Sequence, residues 1–309
     1  MKISVVIPLY NKRETILRAL NSVLNQTFLP EEIIVVNDGS KDGSESVVAK
    51  IKHPLLKLVN QPNLGVSAAR NKGILESRSE WVAFLDADDE WDKDYLSELQ
   101  NLSLSYPGYV VYGALVVNNR FVKCTAENIL LFRTPLDYAR QLYKQGPVIS
   151  IISSIIKREE LIKVDLFPVG VKAGEDLLTL FKLTFIGSFC ISCKKLVRIE
   201  APAPGQRQIR TSLLNDPLLD NLNLFLENRK KREKKAVRLF KAFWYKARSS
   251  TYLINGLRKH SINYAIKGIK IVPFNLKLIT YLLLNILPFS SGQLLFKRIL
   301  EHRHAKNDY

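Results

Sequence analysis

The sequence predicts an α/β chain: a mostly parallel central sheet flanked by helices, with a basic helical extension at its C-terminal end. Three observations predict it. Short β-branched runs alternate with segments of helical periodicity over the first ninety or so residues, polar clusters follow those runs, and the positive charge is concentrated in the last third of the chain. Strands that alternate with helices form βαβ units, which pair in parallel, and ligands bind beyond the carboxyl ends of such strands.

Each element has its own signal. Ile3–Leu9 is an apolar run closed by a proline-containing turn, the mark of a buried strand. Ile16, Leu17, Leu20, Val23 and Leu24 recur at helical spacing. Ile33–Val36 is a second buried run, stopped by the turn cluster Asn37-Asp38-Gly39-Ser40. A helix over 44–51, a strand over Leu55–Val59, a helix over Val66–Leu75 and a strand over Trp81–Leu85 continue the alternation. Further strands are expected within 109–124 and 147–157, a helix over Glu175–Phe185, and two closing strands, Phe189–Cys193 and Leu196–Ile199. Ala201–Gly205 reads as a linker, and helices are expected at 213–227, 233–247 and 260–285.

The 309 residues divide unevenly by charge. Residues 1–204 carry 25 Lys and Arg against 23 Asp and Glu, a net of +2, whereas residues 205–309 carry 21 against 6, a net of +15. The expected organisation is therefore a near-neutral body, 1–204, and a basic region, 205–309. Ten Lys and Arg within Asn228–Arg248 are interleaved with leucine and aromatic residues. That composition suits an interfacial amphipathic segment on an anionic membrane more than a nucleic-acid site. The start of the chain lacks the pattern of a signal peptide, and no run of eighteen apolar residues marks a membrane span. Three cysteines, Cys124, Cys190 and Cys193, argue against a disulfide framework, and the lone CxxC reads as two small apolar residues in a strand.

Four segments carry the chemistry. They are Ser4–Asn11 with Ile34–Gly43, then Asn63–Gly73, then Phe84-Leu-Asp86-Ala87-Asp88-Asp89, and Gly174-Glu175-Asp176. In this order and spacing the chain resembles the family 2 glycosyltransferases, which have the GT-A fold, over about residues 1–200. The resemblance implies inverting transfer of a sugar from a nucleotide-diphosphate donor. Pro8, Tyr10, Asn11, Asp38, Asn63, Arg70, Asp86 and Ala87 are then expected at the nucleotide sugar. Asp88, with Asp86, is expected at a Mg²⁺ or Mn²⁺ ion, for which hard carboxylate oxygens are suited. Asp176, supported by Glu175, is the expected general base. Each has a plainer alternative: Asp38 as an Asx turn, Asp86–Asp88 as a solvated acidic turn, Glu175 and Asp176 as helix-capping acids.

The chain departs from the family pattern after the last strand. Gly205–Ser212 holds Arg207 and Arg210 but no histidine, and the QxxRW signature of processive synthases is absent. Single-sugar addition is expected rather than polymerisation, and Arg207 or Arg210 is a candidate substitute for the missing histidine. Together these readings predict a glycosyltransferase, using a UDP-sugar and a glycan or lipid-linked acceptor in cell-surface polysaccharide synthesis, peripheral at the cytoplasmic face of the cell membrane. The alternative is a catalytically silent nucleotide-binding fold whose basic region holds membrane or nucleic acid.

Overall fold

The computed structural model describes residues 1–117, 124–200, 217–227 and 233–286. The chain begins with β1 (Ile3–Leu9), α1 (Ile16–Leu24), β2 (Glu32–Asp38), α2 (Ser44–Ala49), β3 (Leu56–Gln61), α3 (Val66–Glu76) and β4 (Trp81–Phe84). It continues through β5 (Glu90–Trp91), α4 (Tyr95–Ser105), β6 (Val111–Val116), β7 (Ile129–Phe132), α5 (Pro135–Gln145), β8 (Ser154–Lys157), α6 (Arg158–Lys163), α7 (Glu175–Leu183) and β9 (Phe189–Arg198). Four helices follow: α8 (Pro217–Glu227), α9 (Lys234–Ile254), α10 (Arg258–Ile271) and α11 (Leu276–Ile286).

The sheet runs β3-β2-β1-β4-β8-β6-β9-β5, with β7 on β9. Its first half is parallel: β1 pairs with β2 and β4, and β2 with β3. Beyond β4 it is mixed, because β8 is antiparallel to both β4 and β6 while β6 and β9 are parallel. β1, β2 and β4 are almost wholly buried, as β-branched runs covered on both faces must be.

Close packing on the parallel half depends on small residues. α3 lies on β1 and β2 through Ala69, which meets Ile34 and Val36, and Gly73, where an added Cβ would stand 2.2 Å from Val6 Cγ1. The buried side of α3 is therefore Ser67, Ala69, Arg70, Gly73 and Ile74, not a stripe of large apolar residues.

Several expectations are corrected. Phe189–Arg198 is one continuous strand rather than two, since its pairing with β6 resumes after a register shift at Lys195 and Val197, and Val197 and Arg198 also pair with β5. The single helix expected over 260–285 is two, parted at Pro273, where the ring and the missing N–H end α10 and Asn275 Oδ1 accepts Leu278 N–H to begin α11. Cys193 is not merely a small strand residue: it forms a disulfide with Cys124, 69 residues away, while Cys190 is a buried thiol pushed up to about 12 by burial.

The chain forms two compact units, and the division is not a single cut at Pro204. Among the described residues the first comprises 1–117, 124–135, 147–200 and 217–227, the second 136–146 and 233–286. Thus α8 belongs with the sheet, where Phe225 meets Phe185 edge-on and lies under the Lys182 ammonium. Residues 136–146 of α5 belong with the C-terminal helices. Within that second unit Ser249 Oγ donates to Ser261 O, Ser261 Oγ to Ser249 O, and Asn285 Nδ2 to Ser261 Oγ, so small polar residues tie α9, α10 and α11 together.

One buried acid ties the start of the parallel half. Glu32 accepts Ser4 Oγ at 2.7 Å and Arg78 N–H at 2.7 Å and pairs with Arg78 Nε at 3.3 Å. Burial by itself pushes this carboxyl up, but the Ser4 hydroxyl and the Arg78 backbone and guanidinium outweigh it and hold the value below the ordinary 4.5. A folded-state value below the unfolded one contributes stability above pH 4.5 that is lost as pH falls through the folded value. We expect Glu32→Gln to cost about 1–2 kcal/mol at pH 7 by urea unfolding, with the gap to wild type narrowing below pH 4.5. An equal gap at pH 7 and pH 3.5 would assign the loss to packing instead.

Candidate functional site

The register of the parallel strands, with Pro8 opposite Val36, Leu9 opposite Asn37 and Val6 opposite Phe84, brings the carboxyl ends of β1, β2 and β4 side by side. The loops that leave those ends surround a cleft of about 930 Å³. Pro8, Tyr10, Asp38, Asn63, Arg70, Asp86, Ala87, Asp88, Glu175 and Asp176 all line it, as does the segment Gly170–Gly174. Four sequence segments spread over 170 residues thus form one site. Asn11 does not line the cleft. It adopts a left-handed backbone, φ 51°, and its side chain accepts Lys41 N–H at 2.8 Å. Arg207 and Arg210 lie outside the described residues.

Asp38, at the end of β2, is buried and accepts three hydrogen bonds: from Gln61 Nε2 (2.8 Å), Leu64 N–H (2.8 Å) and Gly65 N–H (2.9 Å). It folds the 61–65 loop against the strand end. Gly39 beside it is required to be glycine: its φ is +72°, and a Cβ would stand 2.9 Å from Asn63 N. The carboxylate therefore shapes the rim of the cleft and still faces into it.

Past β4 the chain presents Asp86, Asp88 and Asp89 within four residues. Asp89 is buried, accepts Glu200 N–H at 3.0 Å, and is pushed up to about 7 by burial and by neighbouring Asp86 and Asp88. Asp86 accepts from Arg70 Nη2 at 2.8 Å. Asp88 pairs with Lys12 Nζ at 2.5 Å, and Arg18 Nη2 donates to its carbonyl at 2.8 Å. Among the described residues no group of three His, Cys, Asp or Glu is arranged to hold a metal ion. The two carboxylates suit a hard divalent cation only when further oxygens come from a bound ligand.

Arg70 is the centre of the arrangement. Its side chain is only 4% exposed; it reaches Asp86 on one side and Glu175 Oε1, 105 residues later, at 3.4 Å on the other. Its guanidinium lies over the Phe167 ring, 5.4 Å from the centroid. Burial alone pushes the guanidinium down, but Asp86, Glu175 and Asp176 outweigh it and raise its affinity for the proton. The next residue, Asn71, clips the Phe167 backbone with bonds of 2.8 and 2.9 Å. Within Asn63–Gly73, then, Arg70 joins two acidic segments, Asn71 holds the aromatic platform and Gly73 lets the helix approach β1.

Glu175 and Asp176 open α7 after Gly174, which takes the left-handed conformation. Acids in the first turn suit the helix dipole, and Asp176 Oδ1 accepts Leu177 N–H at 2.7 Å, so a capping role is present. The two differ in setting: Glu175 is buried against Arg70, whereas Asp176 is half-buried at the cleft wall. Sequence reasoning missed two features. The bridge from Arg70 to Glu175 joins residues 105 apart and no periodicity reports it. Lys12, in the loop after β1, carries no motif, although its place between a strand end and a helix start was a usable signal.

Comparisons with known proteins agree with this geometry. Residues 4–162 match the profile of glycosyl transferase family 2. The chain is similar to Glycosyltransferase GlyA of Streptococcus pneumoniae serotype 4, at 30% identity over 191 residues, 57% of this chain and 27% of that protein. It is similar to the cholesterol galactosyltransferase of Borreliella burgdorferi, at 38% over 102 residues, 32% of this chain and 28% of that one. The chain thus spans little more than a quarter of the length of these curated relatives. Its fold is similar to that of S. aureus TarS residues 1–349 in complex with UDP-GlcNAc, with TM-score 0.66 and 21% identity over 96% of this chain and 92% of that one.

Removing one partner of a buried ion pair leaves the other charge uncompensated. We expect Arg70→Met to destabilise the protein by about 3 kcal/mol in urea unfolding, although Met fills much of the same volume. An unchanged unfolding midpoint would show that the bridge contributes nothing to the fold.

Proposed function

The chain belongs to glycosyl transferase family 2, and on that premise we propose that it transfers a sugar from a nucleotide-diphosphate donor, a UDP-sugar, to a hydroxyl of a glycan or lipid-linked acceptor in cell-surface polysaccharide synthesis. The transfer inverts the anomeric carbon and uses Mg²⁺ or Mn²⁺. The observation that carries this reading is the convergence of Asp38, Asp86, Asp88 and Asp176 on one cleft at the carboxyl ends of parallel strands. The UDP and UDP-GlcNAc complexes of TarS support uridine as the nucleoside.

The chain's own residues divide the work by position. Asp38 and the 61–65 loop receive the nucleoside, with Tyr10 across the cleft. Asp88, with Asp86 behind it, would hold the divalent cation, which supplies charge neutralisation to the departing diphosphate. Arg70 fixes Asp86 from beneath and fixes Glu175 at the head of α7. An alcohol is a poor nucleophile until its proton is removed, and inversion requires attack from the face opposite the leaving group. Asp176 meets both needs: it stands on a different segment from Asp86 and Asp88 and lines the same cleft. Glu175, buried on Arg70, orients that turn.

The C-terminal unit supports peripheral attachment to an anionic membrane. Phe274 (91% exposed), Leu276 (78%) and Leu283 (60%) present apolar surface, with Lys270 and Lys277 nearby in sequence. No helix among the described residues is long and apolar enough to cross a membrane. Apolar side chains beside cations describe an interfacial surface, each cation contributing roughly 1 kcal/mol near anionic lipid.

Two outcomes are expected. With Mn²⁺ and a panel of nucleotide sugars, the protein should release nucleoside diphosphate; Asp176→Asn should slow transfer by about 10²–10⁴-fold while donor binding by calorimetry stays near wild type. Wild-type transfer by Asp176→Asn would move the base elsewhere. In sedimentation with vesicles containing phosphatidylserine, Phe274→Ser with Leu276→Ser should reduce the bound fraction severalfold, and high salt should weaken what remains. Equal binding by variant and wild type would remove this surface from the account.

A further inference from the structure

Lys12 has no part in the reading so far, yet it occupies the position that matters most to a cation. Its ammonium lies 2.5 Å from Asp88 Oδ2, and it lines the cleft. The loop that carries it is held at consecutive residues: Asn11 N–H donates to Ser40 Oγ (3.1 Å), Lys12 N–H to Ser44 Oγ (2.9 Å) and Arg13 N–H to Asp42 Oδ2 (2.9 Å). Asn11 accepts Lys41 N–H in return. The backbone of Asp88 is held from the other side by Arg18. The backbones at both ends of the pair are therefore anchored, which keeps the two side chains within reach of each other.

A divalent cation on either oxygen of Asp88 would lie within a few ångströms of this ammonium. Like charges at that separation repel strongly in a half-buried site. The ion and the ammonium therefore compete for the Asp88 carboxylate, while Asp86 already has one oxygen, Oδ1, on Arg70. A nucleoside diphosphate changes the balance twice. It brings oxygens that complete the coordination of a hard cation, and it gives the ammonium another anion within the same cleft.

We propose that Lys12 is an internal counter-ion that makes divalent-cation binding at Asp88 conditional on the donor's diphosphate. This rests on the reading of the cleft as a nucleotide-sugar and cation site. Binding couplings are reciprocal, so the cation should strengthen nucleotide binding by the factor by which nucleotide strengthens cation binding.

The test is Mn²⁺ affinity, read from the electron paramagnetic resonance of free Mn²⁺, for the full chain as wild type, Lys12→Gln and Lys12→Arg, each with and without UDP. Thermal unfolding checks that the variants are folded; Lys12→Arg keeps the charge should Lys12→Gln prove unstable. Without UDP, Lys12→Gln should bind Mn²⁺ about fivefold more tightly than wild type, the upper range for a partly exposed pair, and Lys12→Arg should resemble wild type. The enhancement by UDP should be smaller in Lys12→Gln than in wild type. If Lys12→Gln binds Mn²⁺ no better than wild type while UDP still enhances wild-type binding, Lys12 is a surface ion pair only and the inference falls, leaving the cleft's function intact. If UDP, GDP and dTDP all fail to enhance Mn²⁺ binding in wild type, the reading of the cleft fails and the inference with it.

Discussion

A guanidinium sealed between carboxylates from two distant parts of the chain sets the geometry on which the rest of the cleft depends. Arg70 is carried by α3, whose close approach to β1 requires Gly73 and Ala69. From there it reaches Asp86 at the end of β4 and Glu175 at the head of α7. Taking a charge out of water is costly unless it is paired, so the guanidinium and the acids constrain one another. The acidic turn after β4 and the acidic turn opening α7 are thereby joined through one guanidinium at the cleft.

The cleft concentrates negative charge, and the fold answers each acid differently. Asp38 is solvated by three uncharged donors from the loop it shapes. Asp86 has Arg70 and Asp88 has Lys12. Asp89, buried beside them, is pushed up to about 7, a measure of how little further charge the turn tolerates. Asp176, half-buried in the same cleft, accepts Leu177 N–H and acts with Asp86 and Glu175 on the Arg70 guanidinium.

Much of this was legible from residues alone, for a physical reason. β1, β2 and β4 are buried on both faces, so their sequences are continuous apolar runs, and the turns that stop them are polar by necessity. Asp38, Asp86, Asp88 and Asp176 follow such runs or open a helix, and the resemblance to the family 2 glycosyltransferases is what singles them out. The mixed half of the sheet was less legible. β5 is two residues long and β7 four, both too short to show a pattern, and β9 carries exposed lysines in mid-strand where its register against β6 shifts. The Cys124–Cys193 bond and the Arg70–Glu175 bridge were invisible because each joins residues far apart in sequence, and spacing carries no information about such contacts. The expected long helix over 260–285 failed at Pro273, a signal that was present in the sequence and outweighed by the apolar periodicity around it.

The most direct test of the central claim is a double-mutant cycle between Arg70 and Glu175. Arg70→Met, Glu175→Gln and the double variant would be compared with wild type by urea unfolding at pH 7. If the bridge sets the geometry of the cleft, the two substitutions couple by about 1–3 kcal/mol, and the double variant is less destabilised than the sum of the singles. Strict additivity would contradict the account, since it would mean that Arg70 and Glu175 stabilise the fold independently and that the two walls of the cleft are held by something else.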